Sequence, residues 1–522
     1  MKKFKYIILA AMLSIVATSC QKTLDLAPED YFGDSNFWQN DAQVSNFMVG
    51  IHKQFRDNQF QFFRLGEMRG GSLSTVDRQN TSLNELNVIQ QDLSEVSPGV
   101  GSWAGLYPAI LQINLFISKV EGITFLAEDK KNTLLGQAYG LRAFYYFQLL
   151  RTYGGVPLAL TPEVSNGETN PVALRKARAT EAEVLAQIKT DVNNSLSLFG
   201  TTASGANKSL WSPNASLMLK GDVYLWSAKV YNTTADLTEA KSALNAVTGS
   251  SLLPNFANVF KQKNNNEIIF AVRYNVGEAE MPGVAQFTYS TFNFDAQHYK
   301  DSLASGPLLV DPLKLASQNS QQVIQRYAYT FELFQSYGTA DTRRDATFYD
   351  YYKVNTTEDP KVVTVRNTAL VKFIGPDPAT TTNKKYFSDD YPIYREADRQ
   401  LMLAEITNAE GGNPAAFINA IRNRAFAPAA DPKPFVNGSK DANELAIFEE
   451  RSKEFVFEGK RWYDLRRMKF GADPLVFKNP GHKYGVLIKG QADYKVLWPI
   501  DKGVWTNDPL VMQTPGYATT KP

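Results

Sequence analysis

The chain has 522 residues, 43% of them hydrophobic and 21% charged, enough for one large body or several ordinary ones with an ample core. Its formal charge is +2, and the first nineteen residues hold three lysines, so the remainder carries −1 and nucleic acid is disfavoured as a partner. Cys20 is the only cysteine, which excludes an intrachain disulfide and a cysteine-built metal site.

Lys2, Lys3 and Lys5 form a basic start, Ile7 to Ala17 a short apolar run, and Ala17, Thr18 and Ser19 lead to Cys20. That order predicts a lipoprotein signal peptide over 1–19, with lipid attached to Cys20. The apolar run is too short to span a bilayer, which takes about 20 residues. A polar tether is expected over 20–34. An amphipathic helix then runs from Ser35 to about Gln59, with Phe37, Trp38, Val44, Phe47, Met48 and Ile51 on its apolar side.

Residues 66–98 are polar and lack a long apolar face, and loops of that length inside compact bodies are commonly functional. Helix resumes at Trp103. The stretch Leu134 to Leu158 is apolar nearly all round, which predicts a central core helix, and Gly154-Gly155 and Pro157 stop it. Further helices are expected from Arg178 to Leu198 and from Pro213 through Trp226. Gly221, Leu225, Ala228, Ala240 and Leu244 match Ala397, Leu401, Ala404, Ala416 and Ala420 at identical offsets. Small residues so spaced let antiparallel helices approach in pairs, as in tetratricopeptide arrays.

Residues 250–390 read differently. Glu267 to Tyr274 has strand character, Lys361 to Ile374 alternates like a hairpin, and Met281 to Leu303 is irregular and aromatic. Helices return over Asn443–Gly459 and Arg461–Phe470, before a Pro- and Gly-rich tail. The fold class is therefore mostly α: a tetratricopeptide-like helical-pair scaffold with a loop-rich insertion carrying a few short strands. A single domain is expected over 35–522, with N-terminal helices to about 249, the insertion over about 250–390, and C-terminal helices and tail from about 391.

Enzyme motifs do not emerge. His52, His298 and His482 are the only histidines, and none stands in an HExxH arrangement. There is no GxSxG, no Walker loop and no GxGxxG after a strand. The adjacent carboxylates Asp389-Asp390 and Glu449-Glu450 point in different directions and cannot be assumed to flank a sugar, so a surface hydrolase is the less favoured alternative. No metal or cofactor is expected. The densest charged constellation is Glu450, Glu454, Glu458, Arg461, Asp464, Arg466 and Arg467. Its spacing of four predicts an ion-pair network pinning consecutive helices rather than an anion or sugar site.

Three stretches together resemble the SusD/RagB family of outer-membrane lipoproteins: LRAFYYFQLLRTYGGVPL, YPIYREADRQLMLAEITNAEGGNPAAFINAIRNRA and ERSKEFVFEGKRWYDLRR. The closing PLVMQTPGY is similar to the family's ending, while DKGVWTNDP departs from its usual approach. The resemblance implies a helix-pair scaffold whose loops bind glycans, or peptides in some members. It also implies a SusC-like TonB-dependent transporter as partner, a cell-surface position in the outer membrane, and no catalysis.

Ligand residues should then sit on loops. The first loop offers Arg69, Asp77, Arg78, Gln79 and Asn80; the insertion offers Phe287, Tyr289, Phe292, Phe294, His298 and Tyr299. Aromatic faces suit the CH face of a pyranose, and Arg, Asn and Asp suit its hydroxyl pairs. Arg69 is the leading candidate, because it lies between a helix end and a glycine pair.

Overall fold

A computed structural model describes residues 37–74, 83–99, 103–288, 297–315, 325–376 and 385–518. The first half is a succession of helices: α1 (Asp41–Asp57), α2 (Gln59–Glu67), α3 (Leu83–Ile89), α4 (Tyr107–Glu121), α5 (Glu128–Tyr153), α6 (Glu181–Phe199), α7 (Pro213–Val230) and α8 (Asp236–Ala246). The predicted first helix starts later than its apolar pattern suggests. Asn40 accepts a hydrogen bond from the Gln43 N–H at 3.0 Å and caps α1 there. Phe37 and Trp38 lie before the helix and fold back on Phe47, with Trp38 also against Phe116.

Helix α5 is the central element. From Leu134 to Tyr153 every residue but Tyr139 is buried, and α1, α4, α6 and α7 cover it. Two of its glycines are there for close approach: a Cβ on Gly140 would stand 2.0 Å from Trp211 Nε1, and one on Gly136 would press on the Phe199 ring at 3.2 Å. Arg142 donates two hydrogen bonds of 2.8 Å to Asp191, tying α5 to α6 through a buried pair. Gly154, at φ +75°, ends the helix.

Strand β1 (Ile268–Val272) opens the insertion, and β5 (Tyr391–Arg395) closes it. The two pair antiparallel, with Ile268 opposite Arg395 and Val272 opposite Tyr391, so the long excursion between them is clamped at its base. Inside it β2 (His298–Tyr299), β3 (Phe348–Asn355) and β4 (Val362–Leu370) make a sheet in that order. The expected hairpin within 361–374 is one strand, β4, and its partner arm is β3. The turn falls instead at Thr356–Lys361, because Val362 to Leu370 contains no Gly or Pro at which a chain could reverse.

Helices α9 (Glu396–Ala409), α10 (Ala415–Phe426), α11 (Lys440–Glu454) and α12 (Arg461–Arg467) follow. The internal repeat is real in its first helix: Gly221, Leu225 and Ala228 of α7 and Ala397, Leu401 and Ala404 of α9 are all buried. A Cβ on Gly221 would meet Leu244 at 2.5 Å, which is the close approach the small residue permits. The second helix is displaced by two residues. Ala416 is exposed, and Ile418 and Ile421 face inward where α8 uses Ala240 and Ala243. One apolar cluster takes in residues from Val44 to Tyr517.

The charged constellation is buried where these parts meet. Glu454, the last residue of α11, receives Arg395 at 2.7 Å, Arg343 at 2.9 Å and Arg424. Glu267, just before β1, takes Arg395 at 2.8 Å and Arg424 at 3.1 Å. Glu458 lies beyond the helix end rather than on its stripe. It still reaches the cluster, accepting from Arg395 Nε at 2.9 Å and Lys372 Nζ at 2.6 Å. A neighbouring network joins Arg467 to Glu405 and Asp464, and Arg451 to Asp398 and Asp464. The structural reading of these residues holds: they fasten the insertion and the last helices to one another.

Candidate functional site

A groove of about 450 Å³ with an aromatic wall lies on the insertion. Its floor and one side come from Tyr329 to Gln335, its other side from β4 between Val363 and Asn367, and Ser74 closes one end. Among the described residues β4 is the edge strand of its sheet, so that side is formed by a strand margin with no neighbouring strand there.

Local bonding holds the floor. Leu73 bridges Tyr329 antiparallel, the Thr330 N–H donates to Ser72 O at 2.8 Å, and the Ser74 N–H donates to Ala328 O at 2.8 Å. Tyr329 is 3% exposed, with its ring on Phe287 (5.7 Å) and its hydroxyl donating to Glu67 Oε1 at 3.0 Å. Phe331 is half-buried, 5.8 Å from the Tyr352 ring and edge-on to it. Burial, then Asp350, push the Tyr352 hydroxyl up, so at neutral pH it stays a neutral donor. Asn367 is spent on structure: its amide donates to Tyr351 Oη at 2.8 Å and Gln325 Oε1 at 3.1 Å.

Glu332, Gln335 and Arg366 are exposed and make no ion pair or side-chain hydrogen bond with another described residue. The groove thus sets an aromatic edge beside an amide, a carboxylate and a guanidinium, all available to an incoming partner. That is a surface for hydroxyl-rich, partly apolar ligands.

Other spaces fit worse. An internal cavity lined by Asp222, Asp398, Arg451 and Arg467 has room of about 40 Å³, which suits water and excludes a sugar ring. An open hollow of about 470 Å³ beside Lys478, His482 and Lys483 has no Phe, Tyr or Trp in its lining. Among the described residues no cluster of His, Asp and Glu could hold a metal ion.

The residues expected from the sequence are placed variously. Arg69 is fully buried and belongs to the scaffold in this structure. Its guanidinium lies 4.0 Å from the Trp462 ring and 5.4 Å from that of Trp498, donates to Gln91 Oε1 at 2.9 Å, and donates to the Lys495 carbonyl. The glycine pair after it explains why. Cβ atoms on Gly70 and Gly71 would meet Arg461 at 2.8 Å and Val486 at 2.5 Å, so these glycines pack the chain down and carry Arg69 inward.

Phe287 is buried among Phe63, Phe457, Tyr327 and Tyr329 and supports the floor from below. His298 is 7% exposed, beside Tyr351, on β2. Tyr299 is half-buried opposite Tyr352. Both stand two strands from the β4 margin, roughly 10 Å at ordinary strand spacing. Asp77, Arg78, Gln79, Asn80, Tyr289, Phe292 and Phe294, like Cys20, lie outside the described residues.

Phe331, Glu332, Gln335 and Arg366 were not anticipated. The alternation of Lys361 to Ile374 was the available clue, since a lone strand read there would have raised the question of its free margin.

The chain is a helical scaffold with a grooved insertion, and no helix among the described residues is long and apolar enough to cross a membrane. Residues 266–517 match the model of the SusD family, and residues 23–225 match one described as starch-binding associating with outer membrane. A crystal structure of a SusD superfamily protein from Bacteroides fragilis is 37% identical, with a TM-score of 0.83 over 92% of this chain and 100% of that one. NanU of B. fragilis is 31% identical, with a TM-score of 0.79 over 95% of this chain and all of NanU. The SusD-like protein P38 of Formosa agariphila is 23% identical over 96% of this chain and 97% of its own length. The chain belongs to the SusD superfamily.

Proposed function

We propose that the chain is a non-catalytic, cell-surface glycan-binding lipoprotein. It captures oligosaccharides at the groove between Phe331 and Arg366 and passes them to a SusC-like TonB-dependent transporter. The observation that carries this reading is the groove itself: an aromatic edge flanked by polar groups that no other described side chain uses. The starch-binding, outer-membrane-associating family description of residues 23–225 supports it, as does Cys20 at the end of a lipoprotein-type leader.

In this reading residues 35–522 act as one domain, tethered to the outer membrane by lipid on Cys20. Asp77, Arg78, Asn80, Tyr289, Phe292 and Phe294 contribute ligand contacts in this reading. No cofactor takes part.

A broad glycan array with the mature protein, followed by calorimetry on the strongest hit, tests the proposal. One glycan class should bind, and Phe331→Ala should weaken it roughly tenfold, the value of one lost ring contact, while the melting temperature holds. Failure to bind any oligosaccharide, or binding indifferent to Phe331→Ala, would overturn it. Peptide capture is the second reading, favoured by one observation: the margin of β4 between Val363 and Asn367, which no described strand pairs, suits strand addition by an extended chain. Mixed oligopeptides bound in place of sugars would select it.

A further inference from the structure

Beneath the groove floor is a small enclosed space. Glu67 ends α2 at 1% exposure, and Ser72, five residues on, is 2% exposed. Glu67 Oε1 accepts from the Tyr329 hydroxyl at 3.0 Å and the Phe457 N–H at 3.4 Å. Glu67 Oε2 and Ser72 Oγ have no hydrogen-bond partner among the described residues. Both residues line one cavity with room of about 10 Å³ for the centre of a water-sized sphere. That is about one water molecule, and a buried water needs two to four polar partners.

Arg461 and Lys372 both favour the Glu67 carboxylate, but burial outweighs them and neither forms an ion pair with it among the described residues. Arg461 of α12 donates from Nε to Gly70 O at 2.7 Å and from Nη1 to Ser452 Oγ at 2.5 Å. Arg451 of α11 is held by Asp398 at 2.9 Å and by Asp464, another residue of the cavity, at 2.8 Å. Lys372 is held by Glu458 at 2.6 Å. Tyr329 and Tyr391 are neutral, their hydroxyls pushed well above their ordinary value by burial and then by Glu67. No ion pair compensates a carboxylate here, and a buried, unpaired charge is relieved by taking up a proton.

We propose that this cavity holds one ordered water between Glu67 Oε2 and Ser72 Oγ, and that Glu67 is protonated there, a neutral positioning residue that holds Tyr329 in the groove floor. The Oε2–H donates to the water, the water donates to Ser72 Oγ, and Oε1 remains free to accept from Tyr329 and Phe457. Burial pushes the Glu67 carboxyl up to about 7, in the same direction. A carboxyl that holds its proton more tightly folded than unfolded makes stability fall as pH rises from its ordinary range to about 7, and no further above that. The link to ligand binding rests on the groove reading; the proton and the water do not.

The test uses the mature protein without ligand. Infrared difference spectra should show a protonated-carboxyl band at about pH 6 that Glu67→Gln removes, because Gln keeps the shape and cannot ionise. The melting temperature of Glu67→Gln relative to the parent should be near zero at about pH 5 and several degrees higher at about pH 8. Ser72→Ala should shift the band, since the water then loses a partner. Absence of the band, or a melting difference equal at both pH values, overturns the protonated Glu67. A band unmoved by Ser72→Ala overturns the bridging water. None of these outcomes depends on glycan binding, so failure of the groove reading would show separately on the array.

Discussion

Two sets of charged side chains lie close in sequence and do opposite things. Arg343, Lys372 and Arg395 are buried, and every one of them is matched to a carboxylate of Glu267, Glu454 or Glu458. Glu332 and Arg366, in the same insertion, are exposed and paired with nothing described. The interior set has its hydrogen bonds satisfied within the protein and gives the insertion a rigid base. The rim set keeps its hydrogen-bonding capacity for something else. Charge is present in both places; what differs is whether the fold has already used it.

Removing Arg395 should have the largest effect on that contrast. It contacts Glu267, Glu454 and Glu458, so Arg395→Ala leaves those carboxylates buried with their shared partner gone. Breaking a buried pair from one side typically costs about 3–5 kcal/mol, and this site joins β5, α11 and the base of the insertion. Urea unfolding should show a loss at least that large or no soluble protein at all. Arg395→Lys should recover part of it, because Lys keeps the charge and loses the forked geometry. A neutral Arg395→Ala would mean the cluster does not fasten the insertion.

Arg69 comes next, since the sequence assigned it to the rim and the structure assigns it to the interior. Arg69→Ala removes a desolvated cation–π contact with Trp462 and hydrogen bonds to Gln91 and the Lys495 carbonyl. A loss of about 3 kcal/mol is expected in urea unfolding. Ligand affinity, measured where the variant is still folded, should be nearly unchanged. Intact stability with lost binding would return Arg69 to the rim.

The sequence was legible where chemistry and position agree. An all-round apolar stretch can only be interior, so α5 was plain. The carboxylates spaced by four announced a network but not its partners, because Glu450, Glu454 and Glu458 pair with Arg343, Arg395, Arg424 and Lys372 from far along the chain. It was opaque where one residue type serves two ends. Phe287 and His298 had the look of ligand aromatics, yet one underpins Tyr329 and the other lies inside the β2–β4 sheet. Gly70-Gly71 looked like slack and proved to be tight packing against Arg461 and Val486. The groove was hidden for a different reason. Phe331 and Arg366 are far apart in the chain and meet only because β4 is an edge strand, and strand order is not written in either segment.

The finest test of the contrast is Arg366. Its side chain is exposed and supports nothing else described, so Arg366→Ala should leave the unfolding free energy within about 0.5 kcal/mol, as surface changes usually do. Affinity should fall by roughly twofold to tenfold, the worth of one solvent-exposed hydrogen bond or charge contact. Calorimetry at low and high salt then divides the two origins. A defect that disappears in salt is Coulombic and points to an anionic ligand, whereas one that persists is a hydrogen bond to a hydroxyl. A fall in stability comparable to that of Arg395→Ala would place Arg366 with the interior charges and erase the distinction between the two sets.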